Sequence, residues 1–337
     1  MRMNRLVIDV GSWITKICIL GCGVVLSEAT CVALQSDVKG NVTIKAFGDT
    51  ARALSGRAAK NTRIVNPVCE GEIVQPALLT ELLKHFLEKI EITPRKAKQT
   101  EIMFIVPCSA SKKLRKTYLK IADDCGIGRV YFTRTPFAAV LGHNVVLSKT
   151  SPVFCVDVGY GKTDISVFSL DGIISGFTAN LGGGNIDVHI MDLLCENFGI
   201  KVGALTAEKL KNVVGSLYED DNKTITVIGR DVETGEPTQV AVNSSHLEEV
   251  IRLYVDKIIE YVRAVLSDLP AEVSSAVVNG GIYLSGGLSK MDGFPEYFEK
   301  GLEIKVNVCD EPALASVIGG CTVLSSPYLC SKTATVN

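Results

Sequence analysis

The sequence predicts a duplicated α/β protein in which two domains of mixed sheet plus helices face each other across a cleft, each with a smaller inserted subdomain. Three observations carry this. RLVIDVGSWITKICIL (residues 5–20) and VFCVDVGYGKTDISVF (153–168) share one pattern: an apolar run, an acid (Asp9, Asp157), a glycine two residues on, a short polar turn and a second apolar run. Strand patterns come in hairpin pairs ahead of helical ones, which argues partly antiparallel sheets rather than uniform βα alternation. The length of 337 residues is comfortable for two cores.

Taken in order, strands are expected at 5–10, 15–20, part of 23–34, 101–106, 153–158, 164–169, 173–180, 223–229 and 281–285. Helices are expected at 75–90, 109–126, 185–199, 206–218, 245–269, 294–302 and 312–324. In each helix apolar residues recur at three- and four-residue spacing, as in Leu247, Val250, Ile251, Tyr254, Val255, Ile258 and Ile259. The polar segment LSKTSP (147–152) divides the halves, giving a first domain at 1–148 and a second at 149–324 whose last helix packs back on the first. Polar, glycine-containing stretches at about 33–75 and 182–245 read as the inserted subdomains. Residues 325–337 form a tail, of which SKTATVN (331–337) reads as disordered.

Composition narrows the function. Apolar residues make up 47% and charged residues 21% of the chain, and 35 Lys and Arg against 37 Asp and Glu leave a net charge of −2. No basic field for nucleic acid follows from such a balance. No apolar run approaches the ~20 residues that span a bilayer, and MRMNRLVIDVG leads into the first strand without a signal-peptide core, so a cytoplasmic protein is expected. Eleven cysteines with no C-x-x-C read as reduced thiols rather than a disulfide framework or zinc site.

One Asp-x-Gly alone is ordinary turn chemistry. Two at equivalent strand lips, with glycine where the backbone turns tightly, offer exposed N–H groups beside a carboxylate and suit a phosphate with its hydrated cation. Ser12 adds a hydroxyl, and Lys16 stands further along, either neutralising phosphate charge or as an exposed strand lysine. In NLGGGNID (180–187) glycines open a helix, whose free N–H groups and dipole can receive a phosphate or ribose. In GIYLSGGLSKMDGF (281–294) Gly286 and Gly287 follow a strand and let a flat base or sugar approach the backbone.

These hairpins and loops, in this order, resemble the actin-like (ribonuclease H-like) ATPases, the superfamily of actin, sugar kinases and the seventy-kilodalton heat-shock chaperones. Within it the chain is most similar to the MreB family of bacterial cell-shape actins, through VNPVCEGEIVQPALLTELLKHF (65–86), TAEKLKNVVGSLY (206–218) and above all IGRDVETGEPTQVAVNSSHLEEVI (228–251). The resemblance runs over about residues 5–320. It implies an ATP/ADP site in the cleft: Asp9 and Asp157 holding Mg²⁺ through water, and backbone N–H groups around Gly11, Ser12, Gly159 and Gly161 on the phosphates. It further puts Gly183 and Gly184 at the sugar and phosphates, Glu208 and Lys211 near the nucleoside, and Gly286, Gly287 and Leu288 beside the base. Lys16 matches the phosphate-loop lysine of actin rather than the MreB pattern. Self-association into head-to-tail filaments follows from membership, since heterologous contacts that do not close make open polymers. Cell-shape or membrane-associated partners, at the inner face of the membrane, belong to the same expectation.

The departures bear on rate. Where MreB carries a glutamate before the proline of an EPMAAA-like segment, RTPFAAVLG (134–142) has Thr135, a very poor base. Tyr160 and Lys162 replace the small and hydroxyl residues usual in the second loop, while Thr163 is retained and could orient water. Slow hydrolysis is expected, with Thr135 and Thr163 the candidate catalytic positions. A membrane contact is offered by KIEITPRKAKQTE (89–101), where Ile90 and Ile92 stand beside Arg95, Lys96 and Lys98; the same segment also reads as a solvated turn. Two rivals remain: a nucleotide-gated adaptor that hardly hydrolyses, and a small-molecule kinase of the same fold, which would need a further carboxylate as base.

Overall fold

The computed structural model describes residues 4–57 and 59–336. Its first half contains β1 (Arg5–Val10), β2 (Ile14–Ile19), β3 (Gly23–Ala29), β4 (Val32–Ser36), β5 (Val42–Phe47), α1 (Gly48–Ala53), β6 (Thr62–Val65), β7 (Val68–Cys69), β8 (Glu72–Ile73), α2 (Pro76–Lys89), α3 (Pro94–Ala97), β9 (Glu101–Val106), α4 (Lys112–Asp124), β10 (Arg129–Arg134) and α5 (Thr135–Gly142). The second half follows with β11 (Val153–Val158), β12 (Thr163–Ser169), β13 (Gly172–Ala179), α6 (Gly183–Phe198), β14 (Ile200–Lys201), α7 (Ala204–Val214), β15 (Thr224–Asp231), β16 (Pro237–Asn243), α8 (Ser244–Ser267), α9 (Ala271–Gly280), β17 (Ile282–Ser285), α10 (Phe294–Leu302), β18 (Val306–Val308), α11 (Ala315–Ser325), α12 (Pro327–Thr333) and β19 (Ala334–Val336).

The duplication is explicit in the sheets. One runs β19-β10-β9-β1-β2-β3 and the other β13-β12-β11-β17-β18. In each, the Asp-bearing strand pairs antiparallel with its hairpin partner and parallel with a later strand (β1 with β2 and β9, β11 with β12 and β17). Asp9 therefore faces Lys16 across its hairpin, and at the equivalent place Asp157 faces Asp164. The central strands are apolar on both faces, as β9 (EIMFIV) shows by being buried at every position, because helices cover the sheets on each side. A small sheet β5-β4-β6 rises from the first half and another, β14-β15-β16, from the second, in the two stretches where the sequence departs from its repeat.

Between the two main sheets, α5 and α11 cross at very close range. A Cβ on Gly142 would stand 2.1 Å from the Ala315 carbonyl oxygen, and one on Gly319 would stand 1.8 Å from that of Ala138. Glycine at each crossing point is what lets the backbones touch. On its other side Gly320 sits against Val7 of β1, so α11 packs on the first sheet while following the last strand of the second.

Several elements depart from expectation. Helix α7 ends at Val214, four residues short of the expected 206–218, and α9 and β10 carried too little periodicity to be read. The tail is ordered where disorder was expected: Ser326 caps α12 by accepting from the Leu329 N–H, and β19 then pairs antiparallel with β10. An exposed edge strand with unpaired N–H and C=O groups is a ready partner for such a β-branched segment; Asn337 of that tail lies outside the described residues. The candidate membrane contact at 89–101, the weaker of the two readings of that segment, loses its apolar half, because Ile92 is 5% exposed within the first core and Ile90 packs against it. No helix among the described residues is long and apolar enough to cross a membrane. The eleven cysteines are all free.

Candidate functional site: a cleft between two Asp-Gly hairpins

The two hairpins meet at a cavity of about 260 Å³ between the sheets. Its wall includes Asp9, Gly11, Ser12, Lys16, Thr135, Asp157, Gly159, Gly161, Gly183, Glu208, Lys211, Gly286, Gly287 and Leu288, so fourteen of the sixteen residues singled out from sequence converge here from nine separate elements and loops. Gly184 and Thr163 do not line it. Thr163 is fully buried and its hydroxyl donates to the Leu181 carbonyl at 2.7 Å, which leaves it holding β12 to the start of α6 rather than facing a water in the cleft.

The loops are built alike, and both differ in one respect from the sequence reading. The Gly11 N–H donates to the Ile14 carbonyl (3.1 Å) and the Gly159 N–H to that of Lys162 (2.9 Å), so each glycine's own donor closes its turn. The N–H groups of the following residues, Ser12, Trp13, Tyr160 and Gly161, donate to no backbone carbonyl among the described residues. A similar correction applies to the glycines of NLGGGNID. The Gly183 N–H donates to the Gly159 carbonyl (3.0 Å) and the Gly184 N–H to that of Tyr160 (2.7 Å), while the Asn185 side chain accepts from Gly182. The first donors of α6 are thus spent on fixing the second loop, and a Cβ on Gly182 would strike the Tyr160 carbonyl oxygen at 2.6 Å. A glycine-rich helix start serves close packing here as well as any anion.

The electrostatics of the floor follow from the strand register. Asp9 lies 3.8 Å from the Lys16 ammonium and accepts the Ser316 hydroxyl of α11 at 2.8 Å. Asp157 has no such cation opposite it: burial, together with the Asp164 and Asp9 carboxylates, pushes its pKa up to about 7. Asp164 itself is wholly buried, accepting from the Cys108 N–H (2.9 Å) and the Thr178 hydroxyl (2.5 Å), with the Lys162 ammonium at 3.6 Å. Carboxylates crowded at one end of a cavity are relieved by a cation, and an oxygen-ligating divalent ion bound through water fits this donor set.

At the opposite wall Lys211 is 2.7 Å from Asp187, both almost wholly buried, and it also donates to the Gly183 carbonyl at 2.8 Å. This internal pairing neutralises the lysine that sequence alone placed at the nucleoside. Gly286, with φ +90°, packs where a Cβ would stand 2.2 Å from the Val158 carbonyl oxygen, while Gly287 faces open space. Thr135 begins α5 at the cavity wall with its hydroxyl donating to the Val106 carbonyl at 3.1 Å. Sequence reasoning passed over Ser316 and Asp187 as site residues, since each acts only through a partner far away in the chain. Lys162, with its aliphatic stem against Gly71 of the β7–β8 turn, was seen only as a departure from pattern.

Two mixed sheets related by duplication, with Asp-Gly hairpins facing across one cavity, define the actin-like class of nucleotide-cleft proteins. The chain belongs to the MreB/Mbl protein family, whose model matches residues 3–332. It is 28% identical over 322 residues to the cell shape-determining protein MreB of Escherichia coli strain K12, covering 95% of this chain and 93% of that one. To the cell shape-determining protein Mbl of Bacillus subtilis strain 168 it is 28% identical over 313 residues, with 93% of each covered. Among solved structures it is similar in fold to MreB5 of Spiroplasma citri bound to AMPPNP (TM-score 0.90, 21% identity, covering 96% of this chain and 97% of that one). The double helical filament of MamK is a more distant likeness (TM-score 0.75, 19% identity, 96% and 99% covered). The resemblance read from the loops is thereby borne out at the level of fold and family.

Proposed function

We propose that this chain is an ATP-binding cytoskeletal protein of the MreB and actin type that polymerises head to tail under nucleotide control in the cytoplasm and hydrolyses ATP slowly. The observation that carries the reading is the convergence of Asp9 and Asp157, at equivalent lips of duplicated sheets, on one cavity. Family membership supports it, as do the solved relatives: MreB5 was seen with AMPPNP and with ADP, and MamK as a filament.

In this reading Asp9 and Asp157 hold Mg²⁺ through its water shell, and the metal neutralises charge on the phosphates. The uncommitted N–H groups of Ser12, Trp13, Tyr160 and Gly161 bind the phosphates, Lys16 adds charge beside Asp9, and Gly286, Gly287 and Leu288 receive the base. The two lobes, divided near residue 148, carry the halves of this site. Thr135 offers no proton acceptor of useful basicity, and its hydroxyl proton is committed to Val106, which supports slow turnover. The same observation favours, as a second reading, a nucleotide-gated adaptor that hardly hydrolyses. A small-molecule kinase ranks last, because the acids lining the cavity among the described residues, Asp9, Asp157 and Glu208, already have other work.

Sedimentation with ATP and Mg²⁺ tests the choice. Polymer is expected above a critical concentration and not without nucleotide; a chain that stays monomeric or a closed dimer at every concentration and salt, while binding ATP, is the adaptor.

A further inference from the structure

The chain's one tryptophan lies in the first loop and its indole stacks on Tyr160 of the second, with ring centroids 4.3 Å apart and planes 16° from parallel. The stack continues on both sides. The Arg52 guanidinium of α1 covers the indole at 4.2 Å and donates to the Trp13 carbonyl, and the Lys211 ammonium of α7 lies 5.4 Å from the phenol ring. The indole N–H donates to the Glu208 carboxylate, also on α7. One column of four side chains therefore joins the hairpin loop and small sheet region of the first half to the hairpin loop and α7 of the second. Trp13, Tyr160, Glu208 and Lys211 all line the cavity that the column spans.

This arrangement sets a conflict. Aromatic stacking and cation–π contact hold the halves together, yet the one carboxylate on this wall able to accept sugar hydroxyls is engaged by the indole. At about 260 Å³ the cavity is also at or below the low end of ligand pockets, ~300–1,000 Å³. We propose that Trp13 and Tyr160 form an aromatic clasp that has to part for a nucleoside triphosphate to enter or leave the cleft, the sugar taking Glu208 from the indole. The clasp rests on the reading of the cleft as an ATP site and adds to it a gate on nucleotide exchange. Apparent affinity is reduced by the fraction of time the clasp is closed, so loosening it raises the rate of association. Gly184 keeps the gate narrow on its α6 side, where a Cβ would stand 2.8 Å from the Tyr160 ring.

Trp13 is its own reporter. With the full chain and Mg²⁺, ATP is expected to shift Trp13 emission to the red as the ring leaves the stack, in step with heat measured by calorimetry. With a fluorescent ATP analogue as the probe, Trp13→Ala and Tyr160→Ala are each expected to bind about tenfold faster in stopped flow, Tyr160→Ala starting from a Trp13 emission already red-shifted. Trp13→Phe, which keeps a stacked ring but no donor to Glu208, falls between. Binding heat in the parent with unchanged Trp13 emission overturns the clasp and leaves the ATP site standing, as do variant rates equal to the parent's. Absence of binding heat in the parent and in every variant overturns both, whereas heat appearing only in the variants is the clasp in its strongest form.

Discussion

Gly319→Ala probes the contact on which the two halves turn. The added methyl would lie 1.8 Å from the Ala138 carbonyl oxygen and 2.5 Å from the Gly142 nitrogen, both backbone atoms that cannot swing aside. Restoring ordinary contact requires α5 and α11 to separate by roughly 1.5 Å, which opens voids among the buried Ala139, Val317 and Val323 around the crossing. Overpacking of this kind costs about 1–3 kcal/mol, and with backbone on both sides the upper end applies. Alanine's better helix propensity returns ~1 kcal/mol, leaving a net loss of about 2 kcal/mol. A melting point roughly 4–8 °C below the parent's is expected by calorimetry. Separation also withdraws Ser316 from Asp9, so ATP affinity should fall together with stability. Gly280→Ala is the control: nothing lies within 4 Å of its Cβ at the end of α9, and it should be neutral or stabilise by up to ~1 kcal/mol. A Gly319→Ala protein melting at or above the parent would refute the close-crossing argument.

Three other perturbations address the cleft itself. Lys211→Met strands the buried Asp187 carboxylate and should destabilise by ~3–5 kcal/mol in denaturant titration, much of it recovered in Lys211→Met/Asp187→Leu; equal losses in single and double variants would mean that the pair is not the cause. Asp157→Asn should weaken ATP binding about tenfold or more in Mg²⁺ and little in chelator, and an unchanged Mg²⁺ dependence by calorimetry removes Asp157 from the metal site. Thr135→Glu should speed phosphate release per polymerised subunit by up to ~10²–10⁴-fold at unchanged ATP affinity. No gain there would place the water-positioning group elsewhere in the wall.

What the sequence by itself determined is what is local and repeated. The apolar run, acid, x-Gly, turn and second apolar run of 5–20 and 153–168 specify a strand hairpin with its acid at the lip, because β periodicity and turn chemistry act within a few residues. Two such units, with glycine loops at 182–184 and 286–287, carry the family resemblance through which Glu208, Lys211 and Leu288 join the expected cavity wall. The tertiary structure alone decided what each of those residues is bonded to. Asp157 is crowded by Asp164 while Asp9 has Lys16, a difference set by register. The donors of Gly183 and Gly184 are taken by the second loop, Ser316 reaches Asp9 across 307 positions, and Trp13 stacks on Tyr160 and bonds Glu208 across 195. Such contacts depend on which elements become neighbours, and periodicity records only which face of an element is buried, never the side chain that will meet it.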